Sequence, residues 1–467
     1  MKPERLLTHL LILRTIKRAP LFQAANHKMS QEHAKTLYYG WKIVAAILFT
    51  LTFSSGLSFY NHSIYLNALA ATPAFTVESA SIAVSLFFFC GGIAGLLVAK
   101  WVQNYDPRYC LTGGAVISAS ALASLSFVTT VPQLYAVYCI FGMGFSASSL
   151  IPATTIVARW FKRRRAMALS IASTGLSLGG VILTPLCVLL VEKLSFQIAA
   201  PIMGIIYLVG VIPVSWIWLR PSPESMGLKI DGDAVDGELT DQDSSAGKPI
   251  ENAEKSEGKH SSGSAPIEDG LSFRQARLTR FFWGIAPAYV FLLMAQVGGI
   301  AHQYGLARET LTESQTALAV AILPVMSIVG RLLGGWIVDK VAIRQFALFI
   351  MALQIFALVL LASGAGVWGL CIGLALFGCT VGNLLMLQPL LIAEAFGLRE
   401  YARIFSVANL MSSWGTAAGP AVMGYVFALN NEHYSGAYLF AAAAGGLGLI
   451  LFAAGGPLHP ATQEKAA

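Results

Sequence analysis

Twelve stretches of about 20 mostly apolar residues, separated by short polar turns, constrain this 467-residue chain more than any other feature. A helix rises about 1.5 Å per residue, so about 20 apolar residues cross the roughly 30 Å hydrocarbon core of a bilayer. Lipid offers no hydrogen-bond partners, so each stretch must satisfy its own backbone groups as a helix. The sequence therefore predicts an all-α polytopic membrane protein with spans at 41–61, 79–100, 109–130, 133–157, 166–190, 197–219, 279–303, 315–338, 344–363, 366–392, 402–427 and 435–455.

The scarcity of charge supports this prediction. Only 12% of the residues are charged, whereas soluble domains have about a quarter. No GxxxxGK[ST] phosphate loop is present, which argues against an ATP-driven pump. We expect no enzymatic activity and no nucleic-acid partner, because the net charge of +7 reflects membrane topology.

The six cysteines lie within or at the ends of apolar stretches, and none has a CxxC or Cys/His metal spacing. Buried packing is the usual role of such residues. We expect no disulfide, no metal and no cofactor for this set: Cys90, Cys110, Cys139, Cys187, Cys371 and Cys379.

A polar segment divides the chain into two halves of six spans. Residues 221–270 contain twelve of the 24 acidic residues and only four lysines, a composition too polar to fold on its own. We predict five regions: a basic cytoplasmic tail at 1–37, a six-helix half at 38–220, a disordered acidic loop at 221–277, a second half at 278–457 and a tail at 458–467. Either Met1 or Met29 is the expected start of the chain.

The basic residues of the short loops predict the orientation. One side carries only Lys193 and Arg308. The other carries Lys100, Arg108, Arg159, Lys162, Arg163, Arg164, Arg165, Lys340, Arg344, Arg399 and Arg403. Cytoplasmic loops are enriched in Lys and Arg, so we expect both termini in the cytoplasm. The expected location is a plasma membrane, the inner membrane in a bacterium.

An internal repeat relates the two halves. At an offset of 235 residues, Phe161, Arg164, Gly180 and Pro185 fall on Phe396, Arg399, Gly415 and Pro420. Repeated six-helix halves are typical of secondary transporters, which hold their substrate near the bilayer midplane between the halves. The repeat therefore predicts a transporter.

A charged motif lies between the eighth and ninth spans: Gly335-x-x-x-Asp339-Lys340-x-x-x-Arg344. It is similar to the loop signature of the major facilitator superfamily, a resemblance that covers residues 38–457 and implies a cytoplasmic gate. The first-half copy has Gln103 and Arg108, and it departs from the pattern where an acid and a base are expected. An ordinary positive-inside loop is the alternative interpretation.

Four short patches resemble monocarboxylate transporters and oxalate/formate antiporters: Arg159–Gly175, Tyr39–Trp41, Arg220–Gly227 and Gly330–Gly335. The first includes Arg163 and Arg164, which either anchor the loop on anionic headgroups or take part in gating. This narrower resemblance implies a small organic anion as substrate.

Arg331 is the residue most indicative of function. It lies eight positions before Asp339, about 12 Å along the helix from the loop, which places it at membrane depth. A buried arginine there is costly and normally marks a pathway or a paired site, and its planar fork suits a carboxylate. The resemblance implies that it binds the anion; a structural pairing is the alternative. Ser327 replaces the acid of animal monocarboxylate transporters, and the eleventh span lacks the lysine of oxalate/formate antiporters, which together favour a monovalent anion.

Other polar or aromatic residues of the spans are candidates for the cavity, with helix packing as the alternative role. The predicted substrate-binding set is Tyr60, Asn61, Asn383, Gln388, Asn409 and Trp414, beside Arg331. His62 and His302, at equivalent places in the first and seventh spans, are candidates for a coupling proton or for hydrogen-bonded structural roles. We expect Glu394 to pair with Arg399, Arg403 or loop cations as part of the gate.

The function predicted from these features is secondary active transport of a small organic anion, a monocarboxylate, by proton symport or anion exchange. The alternative is a major facilitator exporter of drugs or amphipathic metabolites. It is disfavoured because the fifth span has no Gly-Pro-x-x-Gly-Gly element around Pro185. We expect a monomer whose partners are the anion and membrane lipid.

Overall fold

The computed structural model describes residues 38–162, 164–232, 270–338, 340–397 and 399–457. Among these residues twelve long helices form two groups of six, which confirms the predicted fold class. They are α1 Tyr39–Ala70, α2 Val77–Asn104, α3 Pro107–Ser124, α4 Val131–Trp160, α5 Arg165–Leu194, α6 Phe196–Ile217, α7 Arg280–Arg308, α8 Glu313–Val338, α9 Ile343–Ala362, α10 Gly366–Phe396, α11 Tyr401–Leu429 and α12 Tyr434–Ala454.

Eleven of these helices are long and apolar enough to cross a membrane. The exception, α11, has 29 residues and is long enough, but polar residues such as Asn409, Ser412 and Ser413 interrupt its apolar sequence. A helix with that composition is suited to a position against other helices and a polar cavity rather than to full contact with lipid.

Helix α1 extends past its predicted end at residue 61. A π-helical turn at Gly56–Tyr60 interrupts it, and the chain then continues as a second helical segment, His62–Ala70. Such turns insert one extra residue into a helix and frequently occur at functional sites. Tyr60 and Asn61, both predicted site residues, therefore lie where the helix changes its winding.

Several helix starts follow from capping chemistry. The Thr76 side chain accepts a hydrogen bond from the Ser79 backbone N–H at 3.1 Å at the start of α2. At the start of α3, the Asp106 carboxylate accepts the Arg108 N–H at 3.0 Å, and Pro107 occupies the first turn. Asp106 also pairs with the Arg108 guanidinium at 2.6 Å. Partial burial raises the pKa of the Asp106 carboxyl, but the hydrogen bonds from Arg108 outweigh it, so the pKa lies below its usual value.

The two halves repeat the same helix packing. In the first half, Gly175 of α5 lies against the backbone carbonyl of Leu48 in α1; in the second, Gly415 of α11 lies against that of Val290 in α7. A side chain at either glycine would collide with the neighbouring backbone, so both positions require glycine. Helices α5 and α11 thus each contact the first helix of their own half at the backbone.

The halves meet along three helix pairs: α5 with α8, α2 with α11, and the His62–Ala70 segment of α1 with α7. We call the end where α1 and α7 begin the basic end, because Arg108, Arg159 and Arg344 lie there, and the opposite end the far end. Among the described residues, four positions carry hydrogen bonds that join the two halves. Ser81 and Ser85 lie toward the far end, and Ser327 and Arg331 lie deeper in the bundle. Of these bonds between described residues, the one at Arg331 lies nearest the basic end. The halves are thus closed at the far end.

Both ends of the segment predicted as a disordered acidic loop fold onto the basic end. After α6, the Asp231 carboxylate accepts the Lys162 N–H at 3.1 Å, and the Lys229 carbonyl accepts the Tyr38 hydroxyl at 3.1 Å. Before α7, a short helix, Phe273–Ala276, is held by a 2.9 Å bond from the Phe273 N–H to Glu400. Residues 233–269 and both predicted tails, 1–37 and 458–467, lie outside the described residues.

Candidate functional site

Arg331 lies at the contact between the halves. Helix α8 places it two turns from its basic end, where its guanidinium reaches α5 of the other half. Nη1 donates to the Ser173 carbonyl at 3.2 Å and contacts the Ser173 hydroxyl at 3.4 Å. The sequence predicted depth in the membrane for this arginine; the structure adds that it faces the other half rather than the headgroups.

No carboxylate pairs with Arg331 within the part of the chain that the structure describes. A guanidinium has five N–H donors, and the protein bonds involve only Nη1, which leaves Nε and Nη2 without a protein partner among the described residues. A partly buried cation with unused donors is suited to bind an anion in the bidentate geometry that carboxylates prefer.

Three hydroxyl groups continue from Arg331 toward the far end. The Ser327 hydroxyl, one turn before Arg331, lies 3.3 Å from that of Ser177 in α5, which lies 3.4 Å from the Tyr60 hydroxyl. All three residues are buried. Together with Ser173 they form what we call the hydroxyl row: Tyr60, Ser173, Ser177 and Ser327.

Ser173 and Ser177 were not predicted as site residues. The one sequence signal for Ser173 is its position in the Arg159–Gly175 patch, which resembles monocarboxylate transporters and oxalate/formate antiporters. Small hydroxyl residues are so common in membrane helices that spacing alone does not distinguish a cavity residue from a packing residue. Their role depends on the contact between α5 and α8, which is a tertiary feature.

Three predicted cavity residues are buried and bond to neighbouring helices. The Asn61 amide donates to Cys187 Sγ at 2.7 Å within the first half. The Asn383 amide donates to the backbone of α8, and the Gln388 amide donates to the Ser412 hydroxyl at 2.7 Å. These amides link neighbouring helices, because each polar group buried in the bundle needs a partner.

The predicted residues of α11 lie on its accessible surface. Asn409 is exposed, and Trp414 is 63% exposed. Trp414 lines an apolar groove of 440 Å³ between α2 and α11, where it faces residues such as Ser85 and Phe89. This groove and Arg331 lie at different helix pairs of the contact between the halves, so the structure does not bring Trp414 into the hydroxyl row.

The two candidate histidines have different surroundings. His302 is buried where three helices meet: its Nε2 lies 3.1 Å from the Pro420 carbonyl in α11 and 3.4 Å from the Ser81 hydroxyl in α2. His62 is buried within the first half, with its ring 4.2 Å from that of Phe87 and neither ring nitrogen bonded among the described residues. His302 therefore contacts both halves, whereas the aromatic rings around His62 all belong to the first half.

Three of the predicted gating residues, Lys340, Arg344 and Arg108, interact with residues of their own half. Lys340 Nζ lies 3.5 Å from the centre of the Trp336 ring, and Arg344 donates to the Ala453 carbonyl at 3.1 Å. Arg108 pairs with Asp106 as described above, which supplies an acid–base pair inside the first-half loop. Gly335 has open space beside it.

The remaining gating residues lie near the arginine-rich loop or outside the described region. The Arg164 backbone N–H approaches the Asp231 carboxylate at 3.5 Å. Glu394 is exposed, and the predicted pairing is not seen among the described residues; Arg403 lies 4.0 Å from Glu400 instead. Arg163, Asp339 and the side chain of Gln103 lie outside the described residues.

Comparison with known sequences finds one protein family and several transporters that are similar to this chain. A sequence profile of the Major Facilitator Superfamily matches residues 48–302 and, separately, residues 288–467. An MFS-type transporter of Gibberella moniliformis is 24% identical over 375 residues, which cover 79% of this chain and 80% of that protein. Monocarboxylate transporter 12 of Rattus norvegicus is 24% identical over 355 residues, which cover 70% of this chain and 67% of the transporter.

Solved structures share the fold. The nucleoside transporter NupG superposes with a TM-score of 0.66 at 11% identity, over 89% of this chain and 100% of that one. A bacterial homolog of the human lysosomal transporter Spinster, in an inward-facing and unoccupied conformation, superposes with a TM-score of 0.61 at 15% identity, over 90% and 96% of the two chains.

Proposed function

Because the chain belongs to the Major Facilitator Superfamily, we propose that it moves a small organic anion, a monocarboxylate, across the membrane by alternating access. The chain is a multi-pass integral membrane transporter of this family. The similarity to monocarboxylate transporter 12 supports the narrower assignment of the substrate.

The observation that carries the proposal is the environment of Arg331. Its guanidinium lies between the halves with unused donors and no carboxylate partner among the described residues. A buried cation is normally neutralised by an acid, because an unpaired charge costs several kcal/mol in a low-dielectric site. A bound carboxylate would supply that charge. One fixed cation at the site favours a monovalent anion over a dicarboxylate.

We also propose that the basic end faces the cytoplasm, in a plasma membrane or a bacterial inner membrane, and that the transporter acts as a monomer. The basic loops support this orientation. With the halves joined at the far end, Arg331 would then be reached from the cytoplasm. The motif around Gly335, Lys340 and Arg344 would join the halves on that side in the opposite state, as the resemblance implies for a gate.

Uptake into proteoliposomes tests the substrate class. We expect saturable uptake of a labelled short monocarboxylate, with competition by other monocarboxylates and little competition by dicarboxylates of similar length. Transport of neutral or cationic amphipathic compounds, without competition by monocarboxylates, would instead support the exporter alternative and contradict the proposal.

We propose His302, rather than His62, as the residue that carries a coupling proton, because it contacts α2 and α11 across the two halves. With proton symport, an inward pH gradient should accelerate uptake, and His302→Ala should remove most of that pH dependence. His62→Ala is the comparison, since it is buried to the same degree inside one half. An unchanged pH dependence in His302→Ala would contradict this assignment, and uptake driven only by anions on the opposite side would indicate exchange.

A further inference from the structure

Asn383 of α10 bonds to the helix that carries Arg331. Its side-chain amide donates to the Gly330 carbonyl of α8 at 2.9 Å and to the Cys379 carbonyl of its own helix at 2.8 Å. Gly330 directly precedes Arg331, and Asn383 is only 2% exposed. One buried amide therefore fixes the backbone of α8 immediately next to the guanidinium-bearing residue.

The face of α10 that carries Asn383 also packs closely against Arg331, through Gly382. A methyl group on Gly382 would lie 3.2 Å from Arg331 Cβ and 3.2 Å from the Ser327 hydroxyl, and one on Gly330 would lie 2.6 Å from the Cys379 backbone. Helices α8 and α10 are thus in backbone contact at this depth, as small residues permit in membrane bundles. Any rotation of α8 about its axis would have to separate these surfaces.

We propose that Asn383 is a positioning residue for anion binding: by holding the Gly330 carbonyl it sets the rotation of α8 that directs Arg331 and Ser327 toward α5. The sequence placed Asn383 among the substrate-binding residues, but its amide nitrogen is used entirely by backbone carbonyls. It acts through Arg331 and does not contact the anion. This inference depends on the proposed function, because it assigns Arg331 as the anion-binding group.

Gln354 offers a matched control. It is a fully buried amide of the same half that donates to the Leu292 carbonyl of a neighbouring helix at 3.2 Å. Like Asn383, its side-chain oxygen has no partner among the described residues. It links α9 to α7 and has no contact with Arg331. Loss of either amide removes a similar interhelical hydrogen bond, worth about 1 kcal/mol. Only the Asn383 bond lies next to Arg331.

The test compares Asn383→Leu with Gln354→Met, each of which replaces the amide by an apolar side chain of similar length. The measurements are thermal unfolding and the KM and maximal rate of monocarboxylate uptake. We expect both variants to lose thermal stability to a similar extent. Asn383→Leu should raise KM about tenfold with a maximal rate within about twofold of wild type, because small misplacements of a binding group are amplified in binding. Gln354→Met should leave KM unchanged. If Asn383→Leu does not accumulate, Asn383→Ser, which retains a donor with shorter reach, should raise KM by a smaller factor.

The outcomes separate this inference from the proposed function. If Arg331→Ala weakens anion uptake but Asn383→Leu changes KM no more than Gln354→Met, the positioning role is wrong and the proposed function stands. If Arg331→Ala leaves KM unchanged, the proposed function fails, and the positioning role fails with it. An increase in KM in Gln354→Met equal to that in Asn383→Leu would also overturn the inference, since it would indicate a general effect of bundle stability.

Discussion

Replacement of Arg331 by alanine is expected to raise the KM for a monocarboxylate by about 30-fold or more. Removing one partner of a buried, hydrogen-bonded charge pair costs about 2–5 kcal/mol, and each 1.4 kcal/mol is about a factor of ten in affinity. Arg331→Lys should have an intermediate effect, because lysine retains the charge but cannot present two parallel donors to a carboxylate.

Initial rates of uptake into proteoliposomes, measured over a range of substrate concentrations, check this prediction. Arg277→Ala is the matched control, because it removes an arginine that is exposed at the basic end, away from the contact between the halves. The control should behave as wild type. An Arg331→Ala variant that transports with wild-type KM would exclude Arg331 as the anion-binding group.

A disulfide across the far end is expected to stop transport. The Ala421 backbone N–H donates to the Ser85 hydroxyl at 2.8 Å, which joins α11 of one half to α2 of the other. Because this bond brings the two residues into contact, we expect cysteines at these positions to be close enough to form a disulfide. Oxidation of the Ser85→Cys/Ala421→Cys variant should hold the halves together at the far end and reduce uptake to less than about a tenth of the reduced rate, because alternating access requires them to separate there.

Each single variant, oxidised in the same way, controls for the six native cysteines. Formation of the cross-link is measured by mass spectrometry of the digested protein, and transport should return after treatment with a thiol reductant. A fully cross-linked protein that transports at the rate of the reduced protein would show that the far end does not open during transport.

The fold was predictable because each span carries its own signal. Apolar stretches of about 20 residues identify helices without reference to their neighbours, and the predicted twelve spans all correspond to helices. The extension of α1 to Ala70 through the π-helical turn was not predictable, because the hydropathy of a segment does not indicate whether its helix is of the α or the π type. The folded ends of the acidic loop were also missed: Asp231 and Phe273 are stabilised by contacts with residues far away in the sequence, Lys162 and Glu400.

The candidate site was predictable only in part. The depth of Arg331 follows from its distance to the end of α8, and a charge at that depth is unusual enough to be noticed. Neutral polar residues carry no such signal. Asn61, Asn383 and Gln388 bond within their own halves. Ser173 and Ser177 instead contact α8 of the other half, at Arg331 and Ser327. In the sequence, nothing distinguishes these five neutral polar residues from one another. Which helix each one faces is determined by packing, which spacing does not encode.

Ligand-dependent thermal stabilisation of the purified protein tests most directly whether Arg331 holds the anion. A ligand that binds only the folded state stabilises it by about 2.7 kcal/mol at 100 times its Kd, independently of any later conformational step. The Tm of the wild-type protein should rise with the logarithm of monocarboxylate concentration, and the Tm of Arg331→Ala should not change. An equal rise in both proteins would contradict the assignment of this arginine.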